Sequence, residues 1–149
     1  MKALSVRQPW AHAIFYMGKD VENRSCNYRY RGPIFVHAGK TYDRDGAIYL
    51  QERGVKVPSR RDFLHDGTLG RIIGIVTISD CVPEYKLTNS WAAGPYCLML
   101  ENPLAFEYPF KYQGRLGIFN VDMGLVASKI RNGDGEALAR YLNIKKRAA

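Results

Sequence analysis

The sequence contains no apolar run near the ~20 residues that a membrane span needs. Its first residues, MKALSVRQPW, do not read as a signal peptide. Cysteine is scarce: Cys26, Cys81 and Cys97 show neither CxxC nor Cys/His spacing, which argues against a disulfide framework and against a zinc site. Cys81 and Cys97 sit in apolar runs and read as core thiols. No GxSxG, P-loop, Ser–His–Asp order or metal motif occurs, so no cofactor and no metal are expected. Repeats, low-complexity stretches and linkers are missing too. A cytoplasmic protein without membrane contact is the expectation.

Acids are in the minority. Lys and Arg number 22 against 14 Asp and Glu, a net charge of +8. The excess sits mainly in residues 1–75, where 13 bases face 7 acids. A basic front half points to a polyanionic partner, nucleic acid or a phosphorylated small molecule. What remains is ordinary: 149 residues, 46% hydrophobic and 24% charged, the composition of one globular domain over 1–149.

Short strand-like runs dominate the chain. Ala3–Val6, Val21–Arg24, Pro33–Ala38, Ile72–Val82, Pro95–Glu101, Phe106–Tyr112 and Gly117–Val121 are apolar, alternating or β-branched, and read as strands. Pro9–Met17 reads as a helix closed by Gly18, and Tyr42–Arg53 as a second, stopping at Gly54. Ser59-Arg60-Arg61-Asp62 resembles a capping box for a short third helix. A last helix is expected over 134–143, behind Asp134. Strands with peripheral helices predict an α+β fold built on a small, partly open barrel.

Polar groups crowd the front quarter. Arg7 and Gln8 directly precede the first helix, where free N–H groups already favour an anion; Arg7 alternatively pairs with an internal acid such as Glu22. If Val21–Arg24 is extended, Glu22 and Arg24 share one face, Val21 and Asn23 the other, and Lys19 leans toward Glu22. That pair is either a general base beside its orienting carboxylate, a fixed cation, or a surface ion pair. In Asn27-Tyr28-Arg29-Tyr30-Arg31-Gly32, aromatics interleave with arginines, as an unstacked base and its phosphates require. His37 alternates with Phe35 and points to a polar pocket or to the core; Lys40 ends the same strand. Trp91 lies in a loop, where it walls a pocket or plugs the barrel. Lys111-Tyr112-Gln113-Gly114-Arg115-Leu116-Gly117 is a basic turn with two glycines.

Taken together, LSVRQPWAHAIFYMGKDVENRS, YRGPIFVHAGK, GRIIGIVTISDCV, SWAAGPYCLMLENPLAF and KYQGRLGIFNV resemble the activating-signal-cointegrator homology (ASCH) domain of the PUA-like superfamily. The resemblance covers about residues 3–121. It implies a PUA-like pseudo-barrel whose cleft is lined by the first helix and the G-K-x-x-E-x-R strand, and it implies RNA binding. One branch of that family is a set of amidohydrolases that cleave N4-acetylcytidine with a Lys, a Thr three residues later and a Glu; another is reported as ribonucleases. Lys19 and Arg24 match the amidohydrolase motif. Glu22 stands where its Thr would be, which removes the hydroxyl nucleophile.

Two functions follow for one basic cleft, with a coactivator-type protein-interaction module as a third. In a binder of RNA, a nucleotide or a modified nucleoside, Arg7, Lys19, Arg24 and Arg31 supply charge. Trp10, Tyr30 and Trp91 stack the base, and Glu22 or Asn23 reads its edge. In a hydrolase, Lys19 is base or cation and Glu22 orients it or activates water; in a phosphodiester-cleaving variant, Lys19 and Arg24 stabilise the phosphorane while His37 moves a proton. Gln8 and Lys40 complete the expected set.

Overall fold

In the computed structural model, residues 1–148 are described, with side-chain surroundings given through Ile144. Six strands form one sheet: β1 (Lys2–Gln8), β2 (Val21–Arg24), β3 (Gly32–Tyr42), β4 (Arg71–Pro83), β5 (Tyr96–Lys111) and β6 (Ile118–Asn120), in the order β2-β5-β4-β3-β1-β6. All pairings are antiparallel except β1 with β3. Both β2 and β6 are edges, so the sheet is open; the α+β class is as expected, and in place of the expected partly open barrel the pairing draws one open six-stranded sheet.

Strand alternation divides the core between the two faces. Leu4, Ile34, Val36, Ile73, Val76 and Leu98 pack on one side, against Ala11 and Ile14 of helix α1 (Trp10–Tyr16). Ala3, Phe35, Ile72, Ile75, Phe106 and Phe110 pack on the other. Val126 of α4 (Met123–Lys129) and Leu138 of α5 (Asn132–Ala148) cover that second side. The Ile-Val run of β4 is buried from Ile72 to Ile78 because β3 and β5 flank it and helices lie over both faces.

Several elements differ from the expectation; β3 runs on through Tyr42, where the second helix was expected to begin. The strands expected at Pro95–Glu101 and Phe106–Tyr112 are one strand, β5. Between the pairs Thr77↔Glu101 and Ile75↔Leu104, the single residue Val76 faces both Asn102 and Pro103. A bulge, with Asn102 at φ 51, absorbs the proline that looked like a break. The helix α4 was not expected; Asp122 caps it, accepting from Gly124 N and Leu125 N. Asp134 lies inside α5 rather than ahead of it. Its buried carboxylate accepts from the Glu107 and Tyr108 amides, both at 2.9 Å, and ties the helix to β5. The second and third helices are α2 (Arg44–Glu52) and α3 (Arg60–His65), the latter closed by the full Ser59/Asp62 capping box.

Candidate functional site

A cleft of about 1620 Å³ opens where β1, the start of α1, β2 and the end of β3 converge with the loops around Trp91 and Gly114. Its first wall is built on β2. Val21 is fully buried, so the alternate residues Glu22 and Arg24 turn together toward the cleft. Lys19 Nζ lies 2.6 Å from Glu22 Oε2, and Arg24 Nη2 lies 3.1 Å from Glu22 Oε1. Lys19 also donates to the Val21 carbonyl, and Arg24 Nη2 to the Ser5 carbonyl at 2.8 Å. Lys19 is only 3% exposed and Glu22 8%. Two cations thus share one carboxylate out of water, where a charge without a partner costs several kcal/mol, about 3–5 when a pair is broken. Arg24 Nε is buried and has no acceptor among the described residues.

Aromatic side chains extend this wall. The Trp10 indole N–H donates to Asp43 Oδ2 at 2.8 Å, and its ring centroid lies 5.9 Å from Lys19 Nζ and 6.4 Å from the Tyr49 ring. Asp43 also caps α2, accepting from Gly46 N at 2.9 Å. Burial pushes the Asp43 carboxyl up; the bonds from Gly46 and Trp10 and the nearby Arg7 charge outweigh it, and hold the group below the usual carboxylate range. Gly46 has to be glycine, since a Cβ there would sit 2.5 Å from Trp10 Cζ2. Asn23 donates to the Trp91 carbonyl at 2.8 Å and accepts from Ala93 N at 3.0 Å, which anchors the loop carrying Trp91 over the cleft. The amide of Asn23 is therefore a positioning group for Trp91.

The second wall runs through His37, the register partner of Ser5 in the parallel β1–β3 pair. Ser5 joins the walls: its carbonyl holds Arg24, and its hydroxyl lies 3.2 Å from His37 Nδ1. His37 Nε2 lies 3.0 Å from the Tyr112 carbonyl, which only accepts, so Nε2 carries the proton and Nδ1 receives the Ser5 hydroxyl. Burial lowers the His37 pKa and outweighs the opposing bonds to backbone carbonyls; the Lys40 charge pushes the same way as burial. His37 is thus neutral near pH 7. Gly114 presses on the ring, for a Cβ there would be 2.2 Å from His37 Cε1. Around this anchor stand Lys40, Lys111, Arg115 and Lys129, all lining the cleft.

Of the residues singled out in the sequence, Arg7, Trp10, Lys19, Glu22, Asn23, Arg24, His37, Lys40 and Trp91 line the cleft. Gln8, Tyr30 and Arg31 do not. Gln8 is 1% exposed, and its Oε1 takes the His12 amide at 2.9 Å, filling the start of α1 where an anion seat was expected. The Tyr30 hydroxyl donates to the Pro33 carbonyl at 2.6 Å, and its ring packs on the core. Arg31 pairs with Asp80 at 2.8 Å and donates to the Tyr28 and Tyr30 carbonyls, bracing its own loop. Arg7 is exposed and does not pair with Glu22, whose two oxygens are taken by Lys19 and Arg24. Asp43, Tyr49, Lys111, Arg115 and Lys129 join the cleft without having been expected there. Only the basic turn at 111–117 carried any signal of it.

Among the described residues no group of His, Cys, Asp and Glu is arranged to hold a metal, and no helix is long and apolar enough to cross a membrane. The site is a mixed-charge, aromatic-walled cleft on an open α+β sheet. No protein-family model matches the chain. Activating signal cointegrator 1 from Homo sapiens is 26% identical over an alignment of 149 positions, which takes in 92% of this chain and 24% of that protein. The chain therefore spans about a quarter of the length of the curated relative to which it is similar.

Proposed function

We propose that this protein is an ASCH-type, PUA-like domain whose cleft binds RNA or a modified nucleoside in a cytoplasmic setting. The observation that carries the reading is the buried Lys19–Glu22–Arg24 group opening into an aromatic-walled cleft. Each Glu22 oxygen accepts one hydrogen bond from a cation and keeps a second lone pair, which suits the exocyclic amino group of a base. Lys19 spends two of its three donors on Val21 and Glu22, which leaves one for a carbonyl oxygen of the same base. Trp10 and Trp91, both half-buried, supply faces for stacking, a contribution of ~1–3 kcal/mol per base. Similarity to one quarter of a cointegrator protein supports the ASCH assignment.

Hydrolysis in the same cleft is the second reading, favoured by the one feature that binding alone does not require: a lysine and a carboxylate 2.6 Å apart out of bulk water. The test assays N4-acetylcytidine and single-stranded RNA with wild type, Lys19→Ala and Glu22→Gln. A binder gives no turnover of either substrate and retains nucleoside binding that both variants weaken. Turnover by wild type that is lost in both variants establishes the hydrolase.

A further inference from the structure

The loop from Tyr112 to Gly117 is held by hydrogen bonds at both ends and open to solvent in the middle. Tyr112 N donates to Gly70 O at 3.2 Å, the Tyr112 carbonyl takes His37, and Lys129 Nζ donates to the Lys111 carbonyl at 2.9 Å. At the far end Ser5 N donates to Gly117 O at 3.1 Å. Between these anchors the amides of Gln113, Gly114, Arg115 and Leu116 donate to no protein acceptor among the described residues. Four cations line the cleft beside this loop. Lys40 packs on Gly70, whose carbonyl binds the loop, and a Cβ on Gly70 would be 3.2 Å from Lys40 Cε. Lys129 is fixed beside the loop by its bond to the Lys111 carbonyl at the end of β5, while Arg115 belongs to the loop itself. None of the four forms an ion pair among the described residues.

Free backbone donors beside cations that have no carboxylate partner are the chemistry of a phosphate seat. We propose that the Tyr112–Gly117 loop, with Lys40 and Lys129, receives backbone phosphates, so that the cleft takes a single-stranded polynucleotide rather than a free nucleoside. The proposal rests on the nucleobase reading of the Lys19 wall and adds the polymer to it. Phosphodiester oxygens accept from the amides and the cations of one wall, while an unpaired base reaches the other. Size agrees: about 1620 Å³ exceeds the roughly 300–1,000 Å³ of small-molecule sites. A duplex would keep its bases stacked away from Trp10 and Trp91, so the strand is single.

The experiment measures binding of a short, fluorescently labelled single-stranded RNA across a salt series. It compares wild type with the triple variant Lys111→Ala, Arg115→Ala, Lys129→Ala, and calorimetry on cytidine and N4-acetylcytidine runs beside it. Each phosphate contact on a single strand contributes about 0.7 to the slope of log K against log salt, so the triple variant should flatten the slope by about 2. Its nucleoside affinity should not change. Trp91→Ala should weaken RNA and nucleoside alike and leave the slope intact. An unchanged slope in the triple variant overturns the phosphate seat, as does tighter binding of duplex than of single-stranded RNA. Wild type that binds RNA with the full slope difference but binds neither nucleoside overturns the base reading alone.

Discussion

The two walls of the cleft hold the same kind of side chain under opposite conditions. On one, Lys19 and Arg24 are withdrawn from water and share Glu22. On the other, Lys111, Arg115 and Lys129 are exposed and have no carboxylate partner among the described residues. Burial obliges a cation to be paired, and the partner then fixes its geometry to a fraction of an ångström. Exposure removes the obligation and leaves the charge free to act at a distance, screened by salt over ~8 Å. A wall of the first kind can discriminate between bases. A wall of the second kind attracts any polyanion.

Removing one charge should therefore have very different consequences on the two walls. Glu22→Ala leaves Lys19, 3% exposed, facing Arg24 with no carboxylate between them. Breaking a buried pair in this way costs about 3–5 kcal/mol, read from urea denaturation. Lys111→Ala, by contrast, should fall within ~0.5 kcal/mol of wild type, as exposed substitutions do. Equal losses for the two variants would mean that the pairing on the first wall carries no stability.

The next effect tests whether the exposed wall stands on a rigid base. At Gly114 an added methyl would lie 2.2 Å from the His37 ring, so the loop or the imidazole has to move. Overpacking of this kind costs roughly 1–3 kcal/mol. Gly114→Ala should therefore lower the unfolding midpoint and also weaken RNA binding, because the amides beside it shift. Wild-type stability in this variant would show that the loop is free of the ring.

The walls also differ in how far they could be read from sequence. Lys19, Glu22 and Arg24 fall within one short strand, and alternation alone puts the last two on one face. Lys40, Lys111, Arg115 and Lys129 come from β3, the end of β5, the turn after it and α4; only the sheet order and the α4 helix bring them together, and α4 itself was not expected. Asp43 was hidden for another reason. The second helix was expected to begin at Tyr42, which hid the cap position of Asp43, and its bond to Trp10 spans 33 residues. Tyr30 and Arg31 misled because an aromatic-basic pattern serves equally to brace a loop through backbone carbonyls. Gln8 misled because a side-chain amide can fill the start of a helix as well as an anion can. Most strands were legible, since β-branched runs flanked by turn residues have few other uses, whereas the bulge at Asn102 looked like a boundary.

The smallest effect concerns pH, and it belongs to the buried group beneath the exposed wall. Burial, reinforced by Lys40, lowers the folded pKa of His37 below its unfolded value near 6.5. Below that value the unfolded chain binds the proton more readily, so stability rises with pH through this window. The contribution of neutral His37 is complete above about pH 6.5 and is lost as pH falls toward the folded value. His12 is lowered too, chiefly by burial with Asp66 opposing, and adds a slope of the same sign. His37→Gln retains a donor for the Tyr112 carbonyl and cannot titrate, so urea midpoints between pH 8 and 5 should keep only the His12 part of the slope. A phosphate on the exposed wall sets a negative charge beside Lys40 and eases protonation of His37 in the folded state. Single-stranded RNA should therefore shrink the wild-type slope and leave that of His37→Gln unaltered. An identical slope in both proteins without RNA would place the titration elsewhere and detach His37 from the wall it anchors.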